Sequence, residues 1–188
     1  MKKHIITIAG KPGSGKSTTA QKVAEALNYE RFSSGDLFRS LSQERGVELY
    51  QGNKLAEEDT SIDEQVDAKL QELGETKEEM VIDSRMAWHW IPQSFKVYLD
   101  LDLETAAERI LSGMDAERRA IEHIPDSTQE YATQLEKRLE SEAKRYLALY
   151  DQNPYDAAHY DLVVDTKVHN PDQVRELILE AYQKWITS

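Results

Sequence analysis

Cysteine is absent from the 188 residues, which excludes disulfides, thiolate metal sites and a cysteine nucleophile, and fits a reducing cytoplasm. Long apolar runs are also missing: no stretch approaches the roughly 20 residues needed to span a bilayer. The short run Ile5–Ala9 follows a basic start but leads straight into a glycine loop without a small-residue cleavage site, so no secretory leader is expected. Positive charge is in deficit, with 23 Lys and Arg against 35 Asp and Glu and a net charge of -12. Such a surface repels nucleic acid polymers and anionic membranes, and neither is expected as a partner. A local cluster of arginines can still hold a small anion. There is no internal repeat and no low-complexity linker, and the length suits one domain, expected to be a monomer.

What is present alternates between two periodicities. Ile5–Ala9, Tyr29–Phe32, Met80–Asp83, Phe95–Asp100 and Asp161–Asp165 read as short buried strands. Between them lie helical patterns: Ser17–Leu27, a helix opening at Ser33–Asp36, a polar helical stretch from Glu48 to Leu73, and Leu103–Leu111. A long helix over Thr128–Tyr150 carries a stripe of Leu135, Leu139, Ala143, Tyr146 and Tyr150. A last helix, opened by Asn170-Pro171-Asp172, turns Val174, Leu177, Ile178 and Trp185 inward. The segment Ser112–Ser127 has no regular pattern. This alternation predicts an α/β fold: a three-layer parallel sheet of about five strands flanked by helices.

Gly10-Lys11-Pro12-Gly13-Ser14-Gly15-Lys16-Ser17 satisfies G-x-x-x-x-G-K-[ST] at every fixed position, between a buried strand and a helix that runs on through Thr18. Glycines let successive backbone N–H groups converge on phosphate oxygens, and the helix N-terminus adds partial positive charge. The motif therefore predicts ATP bound through Gly10–Thr18, with Lys16 reaching the β- and γ-phosphates and Ser17 ligating Mg²⁺. A carboxylate at the end of a neighbouring strand should order the metal. Asp83 is the first candidate, and Asp100 and Asp165 are alternatives that also end strands.

Two further segments lie where open α/β sheets bind ligands. Ser33–Arg39 brings a hydroxyl pair, a helix N-terminus and an arginine to a strand-to-helix junction, and Asp83-Ser84-Arg85 places another arginine beyond a strand's carboxyl end. Arg138 and Arg145, seven residues apart on one helix, point to the same side; on spacing alone they could equally pair with Glu142. Trp88, His89 and Trp90 read as packing or a pocket wall.

With these pieces in order, the chain resembles the nucleoside monophosphate kinases, most closely the short archaeal-type cytidylate kinases. The matching segments are Ile8–Thr18, Ser34–Arg39, Asp83–Trp88, Glu140–Tyr146 and Tyr160–Thr166 followed by Asn170-Pro171. The resemblance implies ATP- and Mg²⁺-dependent transfer of the γ-phosphoryl group to a nucleoside monophosphate, most often CMP or dCMP. It implies that Ser34, Asp36 and Arg39 line the acceptor pocket and Arg85 holds the acceptor phosphate. Arg109 would lie against adenine, and Arg138 and Arg145 would close over the phosphates. Asp63 and Asp67 would either reach the acceptor's ribose or base or, as their acidic neighbours favour, form a solvated face. It further implies a core of residues 1–33, 78–111 and 155–188, an acceptor-binding insert at 34–77 and a lid at 112–150. The family usually carries glycine in place of Ser84 and arginine in place of Gly113, and Arg118-Arg119 could supply the missing charge. Another small acceptor (a different nucleotide, a sugar acid, a coenzyme precursor) or a regulatory nucleotide-binding module is the alternative reading.

Overall fold

The computed structural model describes residues 2–45, 60–115 and 124–188. At its centre is β1 (Ile5–Gly10), buried at every position. Its apolar residues are covered on both faces, which is what a central strand of a parallel sheet requires. β2 (Glu30–Ser33), β3 (Met80–Asp83), β4 (Phe95–Asp100) and β5 (Leu162–Asp165) complete a sheet of order β2-β3-β1-β4-β5, parallel throughout. The crossover from β1 runs to β2, on the β3 side, and the crossover from β3 runs back past β1 to β4 on the other. The carboxyl end of β1 is thus the point where such sheets open a ligand crevice.

Helices cover both faces. α1 (Lys16–Leu27) buries Ala20, Val23 and Ala24 on the sheet and stops at Asn28, whose left-handed φ of 56° lets its N–H return to Ala24 and Glu25. On the same face lies α7 (Pro171–Thr187), opened by the reciprocal Asn170–Gln173 capping box. It buries Val174, Ile178 and Tyr182. Leu177, read from the sequence as inward-facing, is 38% exposed: the buried column runs at four-residue steps through 174, 178 and 182, and Leu177 lies outside it.

α2 (Ser34–Glu44), α3 (Ser61–Thr76) and the short α4 (Ala87–Trp90) cover the β2–β3 side. There Ile62, Val66, Leu70 and Leu73 of α3 pack with Ile5, Met80, Ile82 and Ile91. α5 (Leu103–Ser112) is capped by Asp102, which accepts from the Thr105 N–H at 2.9 Å. α6 (Thr128–Tyr150) has the expected bounds, from the Ser127 cap to a left-handed Asp151. Leu111 of α5 packs with Tyr131 and Leu135 of α6. The expected stripe on α6 differs in one respect: Glu142 is buried beside Tyr146, and Leu139 is only half-buried. Part of the expected helix from Glu48, and the pair Arg118-Arg119, lie outside the described residues. Among the described residues no helix is long and apolar enough to cross a membrane.

Candidate active site

The loop between β1 and α1 follows from its glycines. Gly10 has φ +152°, and a Cβ there would stand 2.4 Å from the Leu99 carbonyl oxygen on β4. Gly13, at φ +74°, lies against the Ala106 backbone, where a side chain would meet that carbonyl at 3.0 Å. Only glycine permits this approach, so the loop is pressed onto the sheet's carboxyl edge. Lys16 folds back over it, and its Nζ donates to the carbonyls of Gly10 at 2.9 Å and Lys11 at 3.1 Å. Burial first, and then the neighbouring Arg85 guanidinium, bring the Lys16 pKa down to about 8. Lys11 is drawn the other way, onto Asp100 at 2.7 Å and the Leu101 carbonyl, and so ties the loop to the end of β4.

Of the three strand-end aspartates, the geometry sets one apart. Ser17 Oγ donates to Asp83 Oδ2 at 2.7 Å, and register places Asp83 opposite both Ile8 of β1 and Ser33 of β2. Asp100 is engaged by Lys11, and Asp165 accepts from the Lys167 N–H at its own exposed turn. Among the described residues no three His, Asp or Glu side chains cluster as a metal site. A cation at Ser17 and Asp83 would therefore be one that accepts few protein ligands and keeps oxygen ligands from water or phosphate, as Mg²⁺ does. Ser84 is buried and structural: its Oγ accepts from the Met86 N–H at 3.3 Å.

Beyond Lys16 and Ser17 a cavity of about 380 Å³ opens between the β2–β3 side and α6. Lys16, Ser34, Arg39, Arg85, Arg138 and Arg145 all line it, so residues from four separate segments meet around one space. Asp36 does not line it. Its carboxylate is bonded by Arg39 and lies 3.9 Å from Arg31, so it holds those arginines. Arg31, unremarked in the sequence, also approaches Asp83 at 3.8 Å.

Glu142 is the residue that sequence reasoning missed as part of the site. Its two oxygens lie 3.0 Å from Arg138 Nε and 3.0 Å from Arg85 Nε, and Tyr155 OH donates to it. Burial opposes its ionisation, but Arg85, Arg138 and the Tyr155 hydrogen bond outweigh it and hold the Glu142 pKa at about 2. Burial alone would weaken the charge on Arg85, yet the Glu142 carboxylate holds its pKa above the usual arginine value. Helix pairing and cavity lining, the two competing expectations for Arg138, thus coexist.

The solvated face expected for Asp63 and Asp67 is a miss. Asp63 is 7% exposed and lines the cavity. Its Oδ2 lies 3.7 Å from Arg145 Nε, and neither atom has a hydrogen-bond partner. Asp67 also lines the cavity and accepts from Trp90 and Tyr150. Burial raises both carboxyl pKa values. Trp88 is packing, stacked on His159 at 4.2 Å.

On the other side of the loop a second cavity, of about 620 Å³, is lined by Gly13, Ser14, Gly15, Thr18, Arg109 and the turn from Thr166 to Val174. Arg109 is held there by the Thr166 carbonyl at 2.7 Å. The loop therefore lies between two cavities.

Residues 5–168 match the cytidylate kinase-like family. The chain belongs to that family. The cytidylate kinase of Haloarcula marismortui is 38% identical over 184 residues, covering 96% of this chain and 90% of that protein. That of Natronomonas pharaonis is 39% identical over 180 residues, covering 94% and 88%. Among solved structures, a shikimate kinase from Bacteroides thetaiotaomicron superposes with a TM-score of 0.64 at 16% identity, covering 98% of each chain, a likeness of fold alone. Membership in the cytidylate kinase-like family makes the protein a phosphotransferase.

Proposed function

We propose that the protein transfers the γ-phosphoryl group of ATP to a nucleoside monophosphate, with CMP and dCMP as preferred acceptors. The observation that carries this reading is the convergence of Lys16, Arg39, Arg85, Arg138 and Arg145 on one cavity beside the phosphate loop, in a chain of this family. A single-substrate ATPase has no need of so many guanidiniums beyond its loop. Two anions meeting end to end do.

In this reading ATP lies with its base near Arg109 and its phosphates over Gly10–Thr18, and the acceptor occupies the cavity between α3 and α6. Ser17 and Asp83 would hold Mg²⁺, which supplies charge neutralisation between the β- and γ-phosphates when bound. Lys16, released from the Gly10 and Lys11 carbonyls, takes the γ-phosphate, and Arg85 grips the acceptor phosphate. Arg138 disperses charge as the acceptor oxygen attacks in line, while Arg145, beside Asp63, engages the acceptor. No protein nucleophile is required. Residues 34–77 form the acceptor-side insert and 112–150 the lid; their approach excludes water and limits hydrolysis.

A preference for cytosine would follow from the part of the cavity wall formed by Asp63 and Arg145. Asp63 Oδ2 is a buried acceptor without a donor, and Arg145 Nε a buried donor without an acceptor. Cytosine presents an exocyclic amino group beside ring acceptors and completes both. Uracil presents a carbonyl where the amino group would be and leaves the carboxylate unpaired, which is costly in a buried site.

An ADP-release assay over nucleoside monophosphates and common non-nucleotide acceptors tests the assignment. CMP and dCMP should be used faster than AMP, GMP or UMP; a clear preference for a non-nucleotide acceptor would overturn the acceptor assignment while leaving the ATP site standing. In the same assay Asp63→Asn, which offers an amide donor in place of one acceptor oxygen, should lower the CMP-to-UMP ratio of kcat/KM by about tenfold or more. A ratio within twofold of wild type would mean that Asp63 does not read the base.

A further inference from the structure

Asp63 and Asp67 stand one helical turn apart on α3, and their oxygens are used differently. Asp63 keeps Oδ2 unpartnered. Asp67 has both oxygens engaged: Oδ1 accepts from Trp90 Nε1 at 2.9 Å, and Oδ2 from Tyr150 OH at 2.6 Å. The donors belong to elements far apart in the chain. Trp90 ends α4, beyond the carboxyl end of β3, and Tyr150 is the last residue of α6. One carboxylate therefore joins the acceptor-side helix, the segment after Arg85 and the end of the long helix.

The tie continues towards the cavity. Tyr150 meets Trp90 edge-on at 5.7 Å and stacks on Tyr146 at 5.8 Å. Tyr146 lines the cavity, and its ring lies 5.1 Å from the Arg145 guanidinium carbon. The placement of Arg145 against Asp63 is thus connected through two stacked rings to the Asp67 carboxylate. An apolar residue at position 67 would leave an indole N–H and a phenol O–H unpaired in an aromatic nest, and an amide would offer one acceptor oxygen in place of two.

We propose that Asp67 is a positioning residue: with both oxygens engaged at the cavity wall, it pins the end of α6 to α3 and α4 and thereby sets Arg145 and Asp63 for the acceptor. This rests on reading the cavity as the acceptor site. The contribution is to ground-state acceptor binding, so it should be read in KM rather than in kcat.

The test compares Tyr150→Phe, Asp67→Asn and the double variant, with Trp90→Phe as a variant that keeps a smaller aromatic ring and removes the N–H donor. Kinetics are measured on whichever nucleoside monophosphate the wild type uses best, with melting temperatures alongside. Tyr150→Phe and Asp67→Asn should each raise the acceptor KM about tenfold, the scale of a lost hydrogen bond to a charged group. ATP KM and kcat should stay within about twofold, and the double variant should be no worse than the poorer single one, since both remove the same contact. A lower melting temperature with unchanged acceptor KM would overturn the proposal and leave Asp67 a purely structural tie. Equal losses for both substrates, or additive losses in the double variant, would also overturn it. Failure of the cytidine reading shows separately, as a wild-type preference for another base.

Discussion

Replacing Lys16 by alanine should lower the rate of phosphoryl transfer by roughly a hundredfold or more, because in the proposed reaction its ammonium is the loop's cation for the transferring phosphate. The fold should survive. Lys16 is bonded only to the carbonyls of its own loop, Gly10 and Lys11, and it belongs to none of the apolar clusters. Holding an ammonium in that half-buried place is already unfavourable, as its depressed pKa of about 8 indicates. Steady-state kinetics with the cognate acceptor, together with a thermal melt, check both halves of the expectation. Near-normal turnover would remove Lys16 from the reaction, and a collapsed melting temperature would make the kinetic loss uninformative.

Arg85→Lys is expected to damage acceptor use selectively. A guanidinium at the end of β3 can face a phosphate monoester with two parallel N–H groups while its Nε stays beside Glu142 at 3.0 Å. Lysine has one point of attachment and must choose between Glu142 and the substrate. Acceptor kcat/KM should fall by roughly tenfold to a hundredfold, the range for one or two charge-assisted hydrogen bonds. ATP binding measured by calorimetry without acceptor should stay within about twofold. Equal damage to both ligands would move Arg85 to the donor side, and no damage would reduce it to a structural partner of Glu142.

The parts of the site that were legible in the sequence are those whose constraint is local. The phosphate loop announces itself because tight backbone approach needs glycine at fixed spacing, and Asp83 and Arg85 follow from their place at the end of an apolar run. α6 was bounded correctly from its stripe. Glu142 was misread because it was treated only as a surface partner for Arg138. Yet it stands seven residues after Leu135 and four before Tyr146, and an acid in a buried column demands cations. Asp63 and Asp67 were hidden by the acidic composition around them. The column Ile62–Val66–Leu70–Leu73 beside them was the available signal that this face of the helix is buried. The donors to Asp67 could not have been read at all, since the pairings span 23 and 83 residues and no local pattern records them.

The strand order carries a consequence for how the chain reaches this state. β1 is the first strand in the sequence and the middle one in the sheet, yet Ile5 waits for Met80 and Ile6 for Phe95 before either edge is satisfied. At a synthesis rate of about 5–20 residues per second, a strand buried at every position in the fold would emerge several seconds before its partners. Closing loops of that length precedes any reward from pairing, so folding should be slow for a chain of this size. The strand that carries the phosphate loop is thus also the segment most exposed to mispairing in the nascent protein, and α1, able to form at once and fold back over it, is its nearest protection.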